Sequence, residues 1–130
     1  MNKLIEEAIV ASKNAYTPYS KFNVGAAVEL TNGKIITGVN VENASYGLTN
    51  CAERSALFSV YSLGYKQGDI KAMAVVADTE GPCSPCGACR QVMNELLPKS
   101  CEIYLSNFKG DIKRTIINEL LPFSFGPDDL

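Results

Sequence analysis

The spacing of apolar and polar residues predicts how the chain begins. Apolar or small residues recur with the period of one face of an amphipathic helix at Leu4, Ile5, Ala8, Ile9 and Ser12. This pattern breaks at residues 17–20, and residues 22–30 then predict a strand. We therefore expect a helix followed by a strand.

Four further strands are predicted. Asn32-Gly33 is a strong signal for a type I′ turn, so residues 35–41 should return antiparallel to the strand before them. Residues 72–77 form an apolar run without alternation, which is typical of a strand covered on both faces. Residues 103–105 and 112–117 predict the last two strands, with a turn between them.

Two more helices are predicted, each of them after a loop. The first covers residues 51–63, with Asn50 available as its N-cap and Gly64 just past its end. The second covers residues 86–97, and Pro85 is expected at its first helical position. Both helices therefore begin at a cysteine.

The element order α-β-β-α-β-α-β-β, with a short helix at residues 118–121, indicates an α/β fold. Helices on both faces of the sheet would make a three-layer α/β/α sandwich with a mixed five-stranded sheet. A length of 130 residues suits one domain, and no repeat, linker or low-complexity tract divides the sequence. We expect a single domain over residues 1–130.

Composition excludes several classes of protein. With 12 Lys+Arg and 14 Asp+Glu, the net charge of −2 argues against a nucleic-acid partner. The apolar run at residues 72–77 is too short to span a membrane, and the first residues lack the apolar core of a signal peptide. We expect a cytoplasmic protein without a membrane partner. In that reducing compartment, the 5 cysteines are better suited to metal binding or catalysis than to disulfides.

The sequence contains no histidine. This excludes Ser-His and Cys-His nucleophile pairs, HExxH zinc proteases and any imidazole ligand to a metal. A soft metal in this protein must therefore be bound by thiolates.

Two segments concentrate the candidate chemistry, Cys51-Ala52-Glu53-Arg54 and Pro85-Cys86-Gly87-Ala88-Cys89-Arg90. Cys86 and Cys89 are three residues apart, so they share one face of a helical turn. The positive end of a helix favours thiolates. If both helix ends converge over one edge of the sheet, Cys51, Cys86 and Cys89 can bind one zinc ion and leave its fourth position open, as in catalytic sites.

Glu53 and Arg54 follow the first of these cysteines. Glu53 projects about 200° away from Cys51 on a helix, so it is poorly placed as a ligand but well placed as a proton carrier. Zinc lowers the pKa of a bound water from 15.7 to about 7. Three thiolates leave the centre with a charge of −1, and we expect Arg54 to offset it by donating to a ligand sulfur. Arg90 is expected to make structural hydrogen bonds.

Other interpretations of these residues stay open at this point. Cys86 and Cys89 alone are compatible with a thioredoxin-like redox pair. Together with Cys51, Cys83 would complete a four-thiolate set for an iron–sulfur cluster or a closed structural zinc. Otherwise Cys83 and Cys101 are ordinary cysteines, and an isolated Glu53 would be only a helix-start carboxylate.

The motif C-A-E followed by P-C-x-x-C resembles that of the zinc-dependent nucleoside deaminases. Four segments, in order, are similar to those of the short, homotetrameric cytidine deaminases: Tyr19 to Ala27, Asn40 to Ala44, Asn50 to Arg54 and Pro85 to Gln91. The resemblance runs from about residue 16 to residue 125 and so covers nearly the whole chain.

This resemblance implies a reaction. Cys51, Cys86 and Cys89 would bind one zinc ion per chain. Zinc hydroxide would attack C4 of cytosine while Glu53 protonates N3 and later helps ammonia to leave. The products from cytidine and 2′-deoxycytidine would be uridine and 2′-deoxyuridine, as in pyrimidine salvage.

The resemblance also implies the substrate contacts. Phe22 would pack against the pyrimidine, and the backbone N–H of Ala52 would meet the base carbonyl. Asn40 and Glu42 would hydrogen-bond the ribose. Because they are two residues apart at a strand end, they should point to one side. An amide and a carboxylate suit a diol, whose hydroxyls both donate and accept.

An aromatic residue near the C-terminus closes a neighbouring subunit's site in the similar family. Phe125 matches that position better than Phe123, and Tyr46 is a second candidate to reach across. Shared sites of this kind imply a homo-oligomer, with a homotetramer implied by the resemblance.

Rival functions remain. A related enzyme would deaminate another cytosine-bearing compound, such as blasticidin S, or a nucleic acid. Residues 40–43 favour a free ribose, and the sequence lacks a basic, aromatic-rich channel for a polynucleotide. A structural zinc domain that binds a protein partner would instead have a fully ligated, inert metal.

Overall fold

The computed structural model describes residues 2–130. Its helices and strands, in chain order, are α1 (Lys3–Ser12), β1 (Val24–Leu30), β2 (Ile35–Val39), α2 (Ala52–Ser62), β3 (Ile70–Ala77), α3 (Gly87–Leu96), β4 (Glu102–Asn107), β5 (Ile112–Thr115) and α4 (Ile117–Leu120). Short 3-10 helices cover Tyr46–Leu48, Gln67–Asp69 and Pro127–Asp129. Within residues 2–130, no helix has the length and apolar character needed to cross a membrane.

The five strands form one mixed sheet in the order β2-β1-β3-β4-β5. Strand β1 pairs antiparallel with both β2 and β3, whereas β3 pairs parallel with β4. Strand β5 returns antiparallel beside β4. The apolar run predicted as a doubly covered strand is β3, which lies at the centre of this sheet.

Helices cover both faces of the sheet. Alternate residues of the strands point to opposite faces, so each face has its own apolar cluster. Helix α1 packs on one face, through Leu4, Ile5, Ala8, Ala27, Ala74 and Val76. Helices α2 and α3 pack on the other face, through Ala26, Val28, Ala56, Leu57, Val60, Met73, Val75 and Met93. The predicted three-layer α/β/α sandwich with a mixed five-stranded sheet is confirmed.

Gly38 fixes how closely helix α2 approaches strand β2. A Cβ atom at this position would lie 2.3 Å from the backbone nitrogen of Ala56 and 2.7 Å from the carbonyl oxygen of Ala52. Only glycine avoids that overlap with backbone atoms. The first turn of α2 is therefore held directly against the sheet.

The β1–β2 turn differs from the prediction. A type I′ turn needs positive φ at both central residues, but in this turn only Gly33 has it, at 90°. The backbone N–H of Gly33 donates to Leu30, and Leu30 in turn donates to Lys34. Asn32 keeps a negative φ, and its side chain accepts a hydrogen bond from Lys34 N at 2.9 Å. The loop between the paired residues Leu30 and Lys34 therefore has three residues, one more than a type I′ turn has.

Both helix starts lie one residue later than predicted. Cys51 and Cys86 have extended backbones, with ψ of 156° and 166°, and are the N-cap residues of α2 and α3. Asn50 is therefore not the N-cap, and its side chain donates to Ser55 Oγ at 3.1 Å. Pro85 lies before the N-cap of α3 rather than at its first position. No side chain caps either helix, so their first N–H groups stay available.

Candidate active site

Three cysteine sulfurs meet where the N-termini of α2 and α3 converge. The Sγ atoms of Cys51, Cys86 and Cys89 all lie within 4.8 Å of one another. Cys51 and Cys86 are the N-cap residues, and Cys89 follows in the first turn of α3. The convergence predicted from the two motifs is therefore present.

The donor set fits zinc. A tetrahedral ion with Zn–S bonds of about 2.3 Å separates its sulfurs by about 3.8 Å, which is compatible with the observed spacing. Within residues 2–130, the group contains these three cysteines and no fourth His, Cys, Asp or Glu. Three soft ligands and an open fourth position are the donor set of a catalytic zinc site.

Cys51 and Cys89 have pKa values shifted in opposite directions. The sulfur of Cys51 accepts hydrogen bonds from the Cys89 thiol and from the Arg54 guanidinium. Because both stabilise its thiolate, the pKa of Cys51 falls to about 5 despite partial burial. The same Cys89 hydrogen bond, together with burial, raises the pKa of Cys89. The site thus carries thiolate at neutral pH, ready for a soft cation.

Arg54 makes the contact predicted from the sequence. Its Nη2 donates to Cys51 Sγ at 3.1 Å, and this hydrogen bond to a thiolate raises the pKa of the guanidinium. Its Nε is buried without a hydrogen-bond partner among the described residues. Arg90 instead donates to the carbonyls of Pro85 and Leu120, both at 2.8 Å, and so has the expected structural role.

Cys83 lies outside the sulfur group. Its buried thiol donates to the carbonyl of Val75 at 3.2 Å, and burial raises its pKa to about 11. Cys101 is also buried, which raises its pKa to about 12. Because a neutral, hydrogen-bonded Cys83 does not join the other three, the structure gives no support to a four-thiolate site. The sequence did not predict that Cys83 would line the same cavity as Cys86.

Glu53 is a buried carboxyl beside the sulfurs. Only 5% of it is exposed, and it lines one cavity together with Cys51 and Cys86. Burial, followed by the negative charge on Cys51, raises the pKa of Glu53. A raised pKa makes a carboxylate a stronger base, which favours the uptake of a proton from a bound water. The geometry therefore fits a proton carrier and not a ligand.

The cavity above these groups has a volume of about 260 Å³. Ala52 contributes to its wall at the first position of α2, where the backbone N–H has no partner within the helix. Phe22 also lines this cavity, and 42% of its surface is exposed. An apolar ring and a free N–H on one cavity suit a flat, polar-edged ligand.

Asn40 and Glu42 do not face the same cavity. Asn40 lines the first cavity, whereas Glu42 lines an adjoining one of about 410 Å³, and Thr49 lines both. The side-chain amide of Asn40 hydrogen-bonds the backbone: its oxygen accepts from Val24 N at 2.9 Å and its nitrogen donates to Phe22 O at 2.8 Å. The strand ends at Val39, before both residues, yet the Glu42 carboxylate also hydrogen-bonds the segment that precedes β1, through residues 19 and 20. That both side chains contact one ribose stays a prediction.

Ser20 holds the carboxylate of Glu42. One oxygen accepts the backbone N–H groups of Tyr19 and Ser20, at 3.0 and 3.1 Å, and the other accepts the Ser20 hydroxyl. These hydrogen bonds, that of the Ser20 hydroxyl above all, lower the pKa of Glu42. Neither Ser20 nor Thr49 is predicted as a site residue from the sequence, although Ser20 lies within the first similar segment.

Tyr46 and Phe125 do not reach the first cavity of their own chain. Tyr46 is 78% exposed and packs edge-on against Tyr19, with ring centroids 6.5 Å apart, on the second cavity. Phe125 is 60% exposed and lines neither cavity. Its carbonyl accepts from Gln91 at 2.8 Å and from Asn94 at 3.3 Å.

Comparison with known proteins agrees with this geometry. The chain matches the family model described as "Cytidine and deoxycytidylate deaminase zinc-binding region" over residues 1–105. A cytidine deaminase of Halalkalibacterium halodurans is 57% identical over 98% of this chain and 95% of its own. One from Sporosarcina psychrophila is 53% identical over 100% of this chain and 94% of its own.

A solved structure shares the fold. The crystal structure of cytidine deaminase from Burkholderia pseudomallei is 54% identical, with a TM-score of 0.92, and the match covers 96% of this chain and 100% of the other. By sequence and by fold, this chain belongs to the zinc-binding cytidine and deoxycytidylate deaminase family.

Proposed function

We propose that residues 1–130 form one deaminase domain that converts cytidine and 2′-deoxycytidine to uridine and 2′-deoxyuridine, with release of ammonia. The observation that carries this proposal is the buried carboxyl of Glu53 in one cavity with the three-sulfur group. The names of the similar proteins, which are cytidine deaminases, support the same substrate.

The proton transfers fall to Glu53. Zinc, bound by Cys51, Cys86 and Cys89, supplies a Lewis acid that makes a water acidic near neutral pH. Glu53 takes the proton of the attacking water and delivers it to N3 of the pyrimidine. It then carries the second proton of that water to the amino group on C4, which leaves as ammonia. Water and cytidine thus become uridine and ammonia, and Glu53 ends in its starting state.

The walls of the cavity orient the base. Phe22 packs against the ring, and the free N–H of Ala52 donates to the carbonyl at C2. Asn40 holds the backbone directly after Phe22, through the Phe22 carbonyl and the Val24 N–H, and so helps to fix the ring's position. Water is displaced from the apolar wall when the base binds.

The second cavity favours a nucleoside over a nucleotide. Glu42 stays ionised there because its pKa is lowered, and its carboxylate can accept the ribose hydroxyls. Among the described residues that line the two cavities, none is Lys or Arg. A phosphate would therefore meet the negative charge of Glu42 with no cation in the cavity lining, since Lys21, whose charge also lowers the pKa of Glu42, lies outside that lining.

One preparation tests the proposed function. Zinc content and uridine formation are measured together, with cytidine, deoxycytidine and the corresponding 5′-monophosphates as substrates. We expect one zinc per chain and turnover of the nucleosides, with the monophosphates poor substrates. A zinc-loaded protein that deaminates no nucleoside would support the structural-domain alternative and contradict the proposal.

Ser20→Ala is expected to weaken nucleoside binding. The change removes the hydroxyl donor from Glu42 but leaves the two backbone donors, so the carboxylate becomes less fixed. It also removes the acceptor of the Phe22 backbone N–H, which lies 3.0 Å from Ser20 Oγ. Loss of one hydrogen bond to a charged group predicts that KM for cytidine rises about tenfold, with little change in kcat. Steady-state kinetics with cytidine at pH 7 measure KM and kcat separately.

The matched control for this variant is Ser45→Ala, since Ser45 is an exposed loop serine whose hydroxyl makes no such contact. A fall in kcat without a change in KM would contradict the assignment of Ser20 to the binding of the ribose through Glu42.

Arg54→Gln is expected to reduce activity while zinc is largely retained. The guanidinium offsets the excess negative charge of three thiolates, and without it the metal is a weaker Lewis acid. We expect kcat to fall by about ten- to a hundredfold, the range for a lost charged hydrogen bond. Arg54→Lys keeps the charge and should recover part of the loss. Unchanged kcat in Arg54→Gln, measured beside zinc content, would refute this role.

The exposed aromatic residues support an oligomer. Phe125 and Tyr46 leave most of their surface exposed within one chain, although Tyr46 contacts the edge of Tyr19. We place Phe125 at the site of a neighbouring copy, in a homotetramer like that of the similar family. A cytoplasmic location is proposed because thiolate ligands need reducing conditions, and all five cysteines are free.

A further inference from the structure

The segment between β3 and α3 presents the metal-ligand cysteine Cys86. Residues 78–86 have neither helix nor strand structure, yet Thr79 and Cys83 line the catalytic cavity. A segment without regular hydrogen bonds must be held by other contacts if it is to place a ligand reproducibly.

Asn107 holds the start of this segment. It is the last residue of β4 and is fully buried. Its Nδ2 donates to the carbonyls of Thr79 and Glu80, at 3.0 and 2.9 Å, and to Asp111 Oδ2 at 2.8 Å. Its Oδ1 accepts from the backbone N–H groups of Lys109 and Asp111, both at 3.0 Å. One side chain therefore ties the β4–β5 turn to the cavity wall.

The residue before Asn107 adds a third contact. The carbonyl of Ser106 accepts from Cys83 N at 3.2 Å, and the Ser106 hydroxyl donates to the carbonyl of Asp111 at 2.7 Å. Asn107 lies beside Ala77, where β3 ends and the segment begins. The end of β4 thus contacts residues 78–86 both near their start and near Cys86.

We propose that Asn107 is a positioning residue of the active site, which fixes residues 78–86 so that Cys86 is presented to the metal. This inference rests on the proposed zinc site. It goes beyond that site because Asn107 contacts none of the three sulfurs and does not itself line the cavity. It contacts the lining only from behind, through the carbonyl of Thr79 and beside Ala77.

The asparagine amide is matched to its surroundings. The NH2 group faces three oxygens, and the carbonyl oxygen faces two N–H groups. An aspartate has the same shape and keeps the contacts to Lys109 and Asp111 N. It places an oxygen against the carbonyls of Thr79 and Glu80, where no donor remains. Asn107→Asp therefore disrupts the contact to the segment and keeps the two backbone N–H contacts of the turn, but it also sets a carboxylate against Asp111 Oδ2.

The test compares Asn107→Asp with Asn94→Asp in the zinc-loaded protein. Asn94 is also a buried asparagine, but its side chain contacts Lys99, Ser124 and the Phe125 carbonyl instead of residues 78–86. We expect Asn107→Asp to release zinc to a chromophoric chelator about tenfold faster, the lower end of the effect of changing residues that orient metal ligands. Amide hydrogen exchange should quicken in residues 79–86. Asn94→Asp should leave both unchanged.

A double variant separates charge repulsion from lost contacts. In Asn107→Asp with Asp111→Asn, the new amide at position 111 can donate to the new carboxylate, so the repulsion disappears. The carbonyls of Thr79 and Glu80 still face an oxygen, and we expect fast zinc release to persist. This variant also replaces the single one if that fails to fold.

Three outcomes would overturn the role of Asn107. These are wild-type zinc release in Asn107→Asp, full recovery in the double variant, or equal acceleration in Asn94→Asp, which would indicate general destabilisation. Failure of the proposed function is distinct, because it appears in the wild-type protein as absent zinc or absent turnover of cytidine.

Discussion

Glu53→Gln is expected to abolish cytidine turnover and to leave the fold and the zinc content intact. Glutamine has nearly the same shape as glutamate and is uncharged, which a site that buries 95% of this side chain tolerates. It cannot accept a proton from water or return one. A positioned acid or base contributes about 10²- to 10⁴-fold. Because Glu53 serves both transfers, we expect kcat to fall by about 10⁴-fold, the upper end of that range.

Glu6→Gln is the matched control, since Glu6 occupies the first turn of α1 as Glu53 occupies that of α2 but is exposed. Uridine formation and zinc per chain are measured on both variants and on the wild type. A Glu53→Gln protein that loses its zinc would make Glu53 a structural residue. One that keeps more than about a tenth of the wild-type kcat would show that another group moves the proton.

The elements that bury a continuous apolar face were predictable from the sequence. The apolar period of residues 4–12 identified α1, and the unbroken run at residues 72–77 identified the central strand β3. Burial of apolar side chains determines where both elements form, and the spacing of apolar residues along the sequence shows which side chains are buried. The layer arrangement followed from the order of the elements.

Exact ends of elements were less predictable, because competing local contacts decide them. Asn50 is a good N-cap residue by type, but its backbone pairs with Val41 and its side chain with Ser55. Cys51 takes the N-cap position instead. The prediction of a type I′ turn was wrong for a similar reason. The side chain of Asn32 accepts a hydrogen bond from Lys34 N, and its φ stays negative.

The group of three cysteine sulfurs was predictable from the sequence, whereas the residues that hold the neighbouring loop in place were not. Cys86 and Cys89 lie within one helical turn, and a second cysteine motif at another helix start identified Cys51 as their partner. Asn107 makes its key contact with Thr79, 28 residues away in the sequence. No local pattern marks such a residue, because its role depends on which turn the fold places beside it.

Removal of zinc is expected to eliminate activity and to lower the melting temperature by about 15 °C. Thiolates that bind one cation are stabilised, whereas the metal-free site holds a half-buried Cys51 anion next to protonated Cys89. Ligand binding stabilises by about 4 kcal/mol when free zinc is about 1,000 times Kd. For a chain of this length, each kcal/mol shifts the midpoint by about 4 °C.

Cysteine variants locate that stabilisation. Cys86→Ser removes a ligand, so the variant should bind little zinc and should melt at nearly the same temperature with or without a strong chelator. Cys83→Ser is the matched control: it changes a cysteine in the same cavity, and its hydroxyl can still donate to Val75. It should keep both the zinc and the chelator-dependent shift. If chelation leaves the wild-type melting temperature unchanged, or if Cys83→Ser loses zinc as Cys86→Ser does, then metal binding is not coupled to folding through these three sulfurs.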